Sequence, residues 1–198
     1  MTDFVAALAV AFGVVFVAEL GDKTQLLALG FGARFSLRTV AIGLALGYGL
    51  ANIVATIVGG VLGAALPDRP IQIIGGAVFL GFAALAVRRA RSGTPDDEDA
   101  GQADAVHGTT TLSVVASIAG LIAVAEMGDK TQIATATLAS QSSPVGVWIG
   151  ATLGAASSGM VGAVAGNVIG HRISLRALQF ASAALFALFG IAMLAGWF

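Results

Sequence analysis

The sequence predicts an all-α integral membrane protein: six transmembrane helices arranged as two inverted three-helix repeats. Three observations predict it. The chain of 198 residues is 57% hydrophobic and 11% charged, with a mean hydropathy of +0.92, whereas soluble domains carry about a quarter charged residues. Apolar runs of the roughly 20 residues needed to cross a bilayer recur along it. Finally, VAELGDKTQ at Val17–Gln25 returns as VAEMGDKTQ at Val124–Gln132.

Apolar runs divided by charges and proline place the spans at roughly 4–33, 39–66, 71–90, 112–139, 145–169 and 175–197. The N-terminal MTDFVAALAV lacks the basic stretch of a signal peptide, so the first run is expected to remain as a span. Residues 34–38, with Arg34 and Arg38, separate the first two spans. Pro67, Asp68, Arg69 and Pro70 make a tight turn before the third. The longest polar stretch, residues 88–111, is rich in Gly, Pro, Ser and acids and reads as an unstructured connector. The chain therefore divides into a first repeat over 1–90, an acidic cytoplasmic linker over 91–111 and a second repeat over 112–198. Alternate loops gather Arg34, Arg38, Arg88, Arg89, Arg91, Arg172 and Arg176 on one face and only Arg69 on the other. Loops rich in Lys and Arg face the cytoplasm. This predicts a multi-pass protein of the cell inner (plasma) membrane with both termini outside the cytoplasm.

The net charge of −1 says nothing about partners, and no basic run with aromatics suggests nucleic-acid binding. The absence of cysteine excludes disulfides, thiolate metal sites and cysteine nucleophiles. His107 and His171 fall in connecting segments and read as solvated loop side chains.

The offset that carries Val17 onto Val124 extends well beyond the motif. It matches Gly43 with Gly150, Gly47 with Gly154, Gly59 with Gly166, Gly63 with Gly170, Arg69 with Arg176, Gln72 with Gln179, Phe79 with Phe186 and Phe82 with Phe189. An odd number of spans per copy inverts the second copy relative to the first. Inverted repeats suit alternating access, with the site where the halves meet. The small-xxx-small spacing of the glycines predicts close packing of their helices on the motif helices.

A charge at the bilayer centre costs about 2.5–3.5 kcal/mol. Glu19, Asp22, Lys23, Glu126, Asp129 and Lys130 would together cost roughly 15–20 kcal/mol if isolated and additive, so they are expected to face one another or water. At i, i+3 and i+6, Glu19, Asp22 and Gln25 are expected to line one side of a helix, as are Glu126, Asp129 and Gln132. Lys23 and Lys130 follow their glutamates at i+4, where an ion pair can form and trim the charge. Thr24 and Thr131 add hydroxyl oxygens. Gly21 and Gly128 permit close helix approach or a local break that frees backbone carbonyls. Together the motifs hold four carboxylates and two ammoniums, a formal charge of −2. One divalent cation neutralises that charge, and so do two protons, which is the arithmetic of an exchanger. Oxygen ligands suit Mg, Ca and Mn, whereas Zn and Cu favour the His or Cys that the motifs lack. Met127, aligned with Leu20, reads as facing lipid or a helix. Asn52, Thr56, Ser157, Ser158 and Asn167 read as helix–helix hydrogen-bonding groups, with Ser157 and Ser158 placed to line a pathway. A purely structural ion-pair network is the plain alternative, but two acids per lysine leave it unbalanced.

Glu19–Thr24 and Glu126–Thr131 fit the pattern E-x-G-D-K/R-T/S. Occurring twice in a six-span chain of this length, it resembles the Gdt-type cation/proton exchanger family, which includes Golgi manganese and calcium transporters and bacterial manganese exporters. The resemblance covers the whole chain and both motifs without departure. It implies that Glu19, Asp22, Glu126 and Asp129 bind the transported cation. The short length and lack of a targeting sequence resemble the prokaryotic branch, associated mainly with manganese efflux.

Three rivals are weaker. An intramembrane aspartyl protease requires glycine where Glu19 and Glu126 stand, and a lysine beside each aspartate opposes a shared proton. An exporter of small organic cations or amino acids requires a roomier, less acidic pocket. A passive channel does not need paired acids on inverted repeats. The sequence therefore reads as a non-enzymatic divalent cation/proton antiporter without a cofactor, exporting Mn2+ from the cytoplasm, with Ca2+ as runner-up. Glu19, Asp22, Glu126 and Asp129 bind the metal, Gln25, Gln132, Thr24 and Thr131 supply or orient further ligands, and Lys23 and Lys130 balance charge. Its partners are a divalent metal ion, protons and the lipid bilayer, and a homo-oligomer is compatible with it.

Overall fold

The computed structural model describes residues 2–92, 106, 110–168 and 175–197. Most of the expected linker, and both histidines, lie outside the described residues. The described residues form eight helices: α1 (Thr2–Glu19), α2 (Lys23–Arg34), α3 (Leu37–Ala65), α4 (Asp68–Ser92), α5 (Thr111–Ala125), α6 (Lys130–Gln141), α7 (Pro144–Val168) and α8 (Leu175–Ala195).

Two of the expected continuous spans are broken. The run over 4–33 becomes α1 and α2, bent by 80°, and the run over 112–139 becomes α5 and α6, bent by 79°. The breaks have a local cause. Gly21 and Gly128 each adopt φ 77°, a left-handed conformation that glycine enters without steric cost. The next residues, Asp22 and Asp129, are extended and serve as N-caps of α2 and α6. Glu19, Asp22 and Gln25 therefore do not line one side of a continuous helix, and neither do Glu126, Asp129 and Gln132. Each trio is gathered around a corner instead.

Three unbroken helices, over 37–65, 68–88 and 144–165, are long and apolar enough to cross a membrane, and the bent pairs bring the candidates to five. In the last run, Ala183–Ala195 is an apolar but shorter helix among the described residues. On α3, Ile42, Leu46, Leu50, Ile53, Ile57 and Val61 are all exposed, a helical row of apolar side chains suited to lipid. Two expectations at the linker are corrected. Residues 88–92, read as its start, continue α4, and Val106 is buried in the hydrophobic core rather than solvated.

The packing is reciprocal between the halves. α1 and α2 lie on α7, while α5 and α6, their counterparts in the second repeat, lie on α3. α3 packs on its own counterpart α7, and α4 on α8. Glycines form these seams. A Cβ on Gly47 would stand 2.8 Å from the Ala119 carbonyl oxygen of α5, and one on Gly154 would stand 2.6 Å from the Phe12 carbonyl oxygen of α1. Phe12 and Ala119 are themselves repeat counterparts. Gly59 and Gly63 approach α6 equally closely, at Ala136 and Ser140. Trp148 ties α7 to α3 by donating to the Gly49 carbonyl at 2.9 Å. Phe79 stacks at an angle on Phe186, its repeat counterpart, with ring centroids 5.9 Å apart. Arg69 donates to the Leu194 carbonyl at 3.0 Å, joining the start of α4 to the end of α8.

Gly59→Ala is expected to destabilise the protein by about 1–3 kcal/mol, the usual cost of overpacking, because its Cβ would lie 2.1 Å from the Ala136 oxygen. Gly13→Ala, with nothing within 4 Å of its Cβ, should be neutral or stabilising. Thermal unfolding in detergent measures both.

Candidate cation site

Each corner is held by its own motif in the same way. The Thr24 hydroxyl folds back to donate to Glu19 Oε2 at 2.8 Å, and the Thr131 hydroxyl donates to Glu126 Oε2 at 3.0 Å. Gln25 Oε1 accepts from the Gly21 amide at 2.7 Å, and Gln132 Oε1 from the Gly128 amide at 3.4 Å. The other end of each glutamine crosses to the opposite half. Gln25 Nε2 donates to the Ser158 carbonyl at 3.3 Å, and Gln132 Nε2 to the Ala51 carbonyl at 3.0 Å. Ala51 and Ser158 are again related by the repeat. The glutamines thus clamp the corners onto α7 and α3.

The two motifs meet in the interior. Carboxylate oxygens of Glu19, Asp22 and Asp129 all lie within 4.8 Å of one another, two acids from the first motif and one from the second. Glu19 is 1% exposed, Glu126 3% and Asp22 6%, so these acids cannot be read as a solvated surface. Glu126 stands outside the three-acid group. Glu19 Oε1, Glu126 Oε1 and Asp129 Oδ2 are buried without a hydrogen-bond partner.

The lysines do not form the expected i+4 pairs. Lys130 reaches across to Asp22 of the other motif, and among the described residues Lys23 makes no ion pair with Glu19. The corner geometry explains this, since the break turns each lysine away from the glutamate that precedes it. The two aspartates differ accordingly. Asp22 Oδ1 caps α2 through the Lys23 amide at 2.9 Å while Oδ2 takes Lys130. Asp129 caps α6 by position alone, without a side-chain hydrogen bond.

Three carboxylates this close repel one another strongly in a low-dielectric interior. Lys130, paired with Asp22, offsets one of these charges. Hard oxygen donors without imidazole or thiolate match Mn, Ca or Mg.

The remaining polar residues divide. Asn167 Nδ2 donates to the Gly32 carbonyl at 3.2 Å, a helix–helix bond as expected. Thr56 instead bonds the Asn52 carbonyl of its own helix at 2.8 Å. Ser158 Oγ is buried without a partner, which departs from a packing role. Met127 is 65% exposed, consistent with facing lipid. Sequence reasoning missed Tyr48 of α3, which is buried with its hydroxyl lacking a hydrogen-bond partner. Its available signal was being the single tyrosine of the chain, in the middle of an apolar helix.

A family model for the divalent cation/proton antiporter GDT1 matches residues 7–94 and 114–198, including both motifs and both corners. The chain belongs to the GDT1 divalent cation/proton antiporter family. This family consists of transporters, so the protease reading falls. A GDT1-like protein of Synechocystis sp. is 32% identical, with 96% of each chain covered. Protein PAM71, chloroplastic, of Arabidopsis thaliana is 29% identical over 94% of this chain, which spans 56% of that protein. The Vibrio cholerae "Putative manganese exporter" is 29% identical, over 94% of this chain and 90% of its own. No solved structure matches the chain.

In this GDT1 family member, Gln25→Leu removes two hydrogen bonds at the more buried corner, and Gln132→Leu removes two at the more open one. The expected loss of stability is about 1–3 kcal/mol for Gln25→Leu and less for Gln132→Leu, read as the difference in melting temperature.

Proposed function

We propose that the protein is an antiporter of the plasma membrane that exports Mn2+ from the cytoplasm in exchange for protons. The single observation that carries this reading is the convergence of Glu19 and Asp22 with Asp129, acids from the two copies of the motif, in one buried cluster. Glu126 completes the set, Gln25, Gln132, Thr24 and Thr131 orient or supplement it, and Lys23 and Lys130 balance its charge. The cluster carries either the metal or protons, because an unneutralised excess of negative charge is costly to occlude.

Two features favour Mn2+. Thr24 and Thr131 each hydrogen-bond one oxygen of a glutamate, leaving the other oxygen of Glu19 and of Glu126 without a partner. Ca2+ often takes carboxylates through both oxygens and gathers roughly 6–8 ligands, so glutamates with one oxygen already engaged suit it less. The Vibrio relative is also named for manganese export.

In this reading the chain is two inverted three-helix repeats of six spans, 1–90 and 112–198, joined by a cytoplasmic linker over 91–111, with both termini outside. Broken helices at a repeat interface are a recurring way to build such a site. A cleft of about 550 Å³ between α1, α6 and α8 reaches inward to Val10 and Leu138. These residues stand about 12–14 Å along their helices from Glu19 and Lys130 at 1.5 Å per residue. The cleft is the external vestibule. The one-sided Lys130–Asp22 pair marks one of the two transport states. In the other state Lys23 pairs with Asp129 and Lys130 is released.

In liposomes with an imposed pH gradient, wild-type protein should exchange Mn2+ for protons, while Glu19→Gln and Asp129→Asn should fold normally and lose coupled flux by at least about 100-fold, the effect of roughly 2.7 kcal/mol. Wild-type flux in either variant would remove the site assignment. The chain has no cysteine, so Val10→Cys is a clean reporter of the vestibule. Lys130→Met should lower its labelling rate and Lys23→Met should raise it, whereas identical rates would contradict the lysine exchange.

A further inference from the structure

Between the acid cluster and the cleft, one buried polar group is left over. Thr135 on α6 is fully buried, at 0% exposure, and its hydroxyl has no hydrogen-bond partner. Threonine and serine inside a helix can donate back to the carbonyl one turn earlier, and neighbours in this segment do so. Thr137 donates to the Ile133 carbonyl and Ser142 to the Leu138 carbonyl, both at 2.8 Å. Thr135 does not take that bond. A buried hydroxyl without a partner is costly, and valine would fill the same space without the cost. Packing alone therefore gives no reason for a threonine here.

Its position supplies one. Thr131, Thr135, Leu138 and the C-cap Ser142 follow one another at i, i+4, i+7 and i+11, along one face of α6. At the inner end of this face Thr131 holds Glu126. At the outer end Leu138 and Ser142 line the cleft between α1, α6 and α8. Thr135 stands between them, about 6 Å along the helix from Thr131 and about 4.5 Å from Leu138 at 1.5 Å per residue. α1 packs against α6, and between Val10 and Glu19 its buried residues are Ala11, Val14, Val15 and Ala18, all apolar. The repeat counterparts of the α6 face are Thr24, Ala28, Phe31 and Phe35. The hydroxyl thus belongs to the half that meets the cleft and is missing from the other, where Phe31 is fully buried. We propose that the Thr135 hydroxyl is a stepping ligand for the transported cation, its oxygen taking the place of a water as the ion passes between the cleft and the acid cluster. Protein oxygens that replace a hydration shell carry ions through narrow passages, and a hydroxyl is a hard oxygen suited to the same cations as the carboxylates. Thr135 meets the ion in transit and stands apart from the cluster, so it governs rate and leaves affinity unchanged. This assignment rests on the antiporter reading given above and on the cleft as its vestibule.

The test measures Mn2+/proton exchange in liposomes, together with Mn2+ binding and thermal unfolding in detergent. Thr135→Val keeps the shape and loses the oxygen, Thr135→Ala is a second variant without it, and Thr135→Ser keeps it. Both variants without the oxygen should exchange Mn2+ about 10-fold more slowly, the effect of one interaction of hydrogen-bond size. Their Mn2+ affinity should equal that of the wild type, and Thr135→Val should melt at the same temperature or higher. Thr135→Ser should exchange close to the wild-type rate. Wild-type exchange by Thr135→Val overturns this assignment, and so does a slow Thr135→Ser. Weaker Mn2+ binding in the variants would place the hydroxyl in the acid cluster. A lower melting temperature for Thr135→Val, or failure of both oxygen-free variants to fold, would make it a packing group. Either result overturns the stepping role while the antiporter reading stands. Wild-type protein that moves no Mn2+ against protons overturns the antiporter reading and this assignment with it.

Discussion

A carboxylate inside a bilayer has to find its partners within the protein, and most features of this chain follow from how Glu19 and Glu126 do so. Each sits at the end of a helix that stops, and each receives the hydroxyl of a threonine from the helix that begins after the turn. A straight helix would carry the threonine past the glutamate. The left-handed glycine between them turns the chain by about a right angle and brings the hydroxyl back. Backbone groups exposed at such a break are tolerated in a membrane only when protein satisfies them. Gln25 and Gln132 do part of this by accepting the glycine amides, while their other ends hold the carbonyls of α7 and α3.

Close packing brings the two corners together. α3 and α7 carry glycines where the broken helices cross them, so that backbone lies on backbone. Larger residues at those crossings would hold the motifs apart and leave each cluster of acids without its opposite number. The glycine seams and the buried charges therefore support one another. The seams allow approach, and the cross-motif Lys130–Asp22 pair and the glutamine clamps make that approach favourable.

Near-identical motifs do not have identical surroundings. Asp22 is capped and paired, while Asp129 Oδ2 is bare. Gln25 is buried and Gln132 less so, and the buried Tyr48 has an alanine, Ala155, as its counterpart in the other half. Two similar halves in unequal arrangements fit the two interconverting states of the proposed antiport cycle.

The residues of the candidate site were legible in the sequence because charge in an apolar segment is conspicuous and its repetition at one offset is not accidental. The helical class was legible for the same physical reason, since apolar runs in lipid have to satisfy their own backbone. The glycine seams were readable from their spacing. The corners were not, because a glycine in a helical pattern is compatible with either a packed crossing or a break, and only the partners across the bundle decide between them. The lysine pairing was misread for that reason: i+4 is adjacent on a continuous helix and loses that meaning once the helix turns. Tyr48 was overlooked because a tyrosine in an apolar helix is inconspicuous until its neighbours are known. The sequence by itself therefore determined which groups must be buried together, because their desolvation cost allows nothing else. Only the tertiary structure decided which of them touch, because contacts between segments half a chain apart depend on packing that no local pattern encodes.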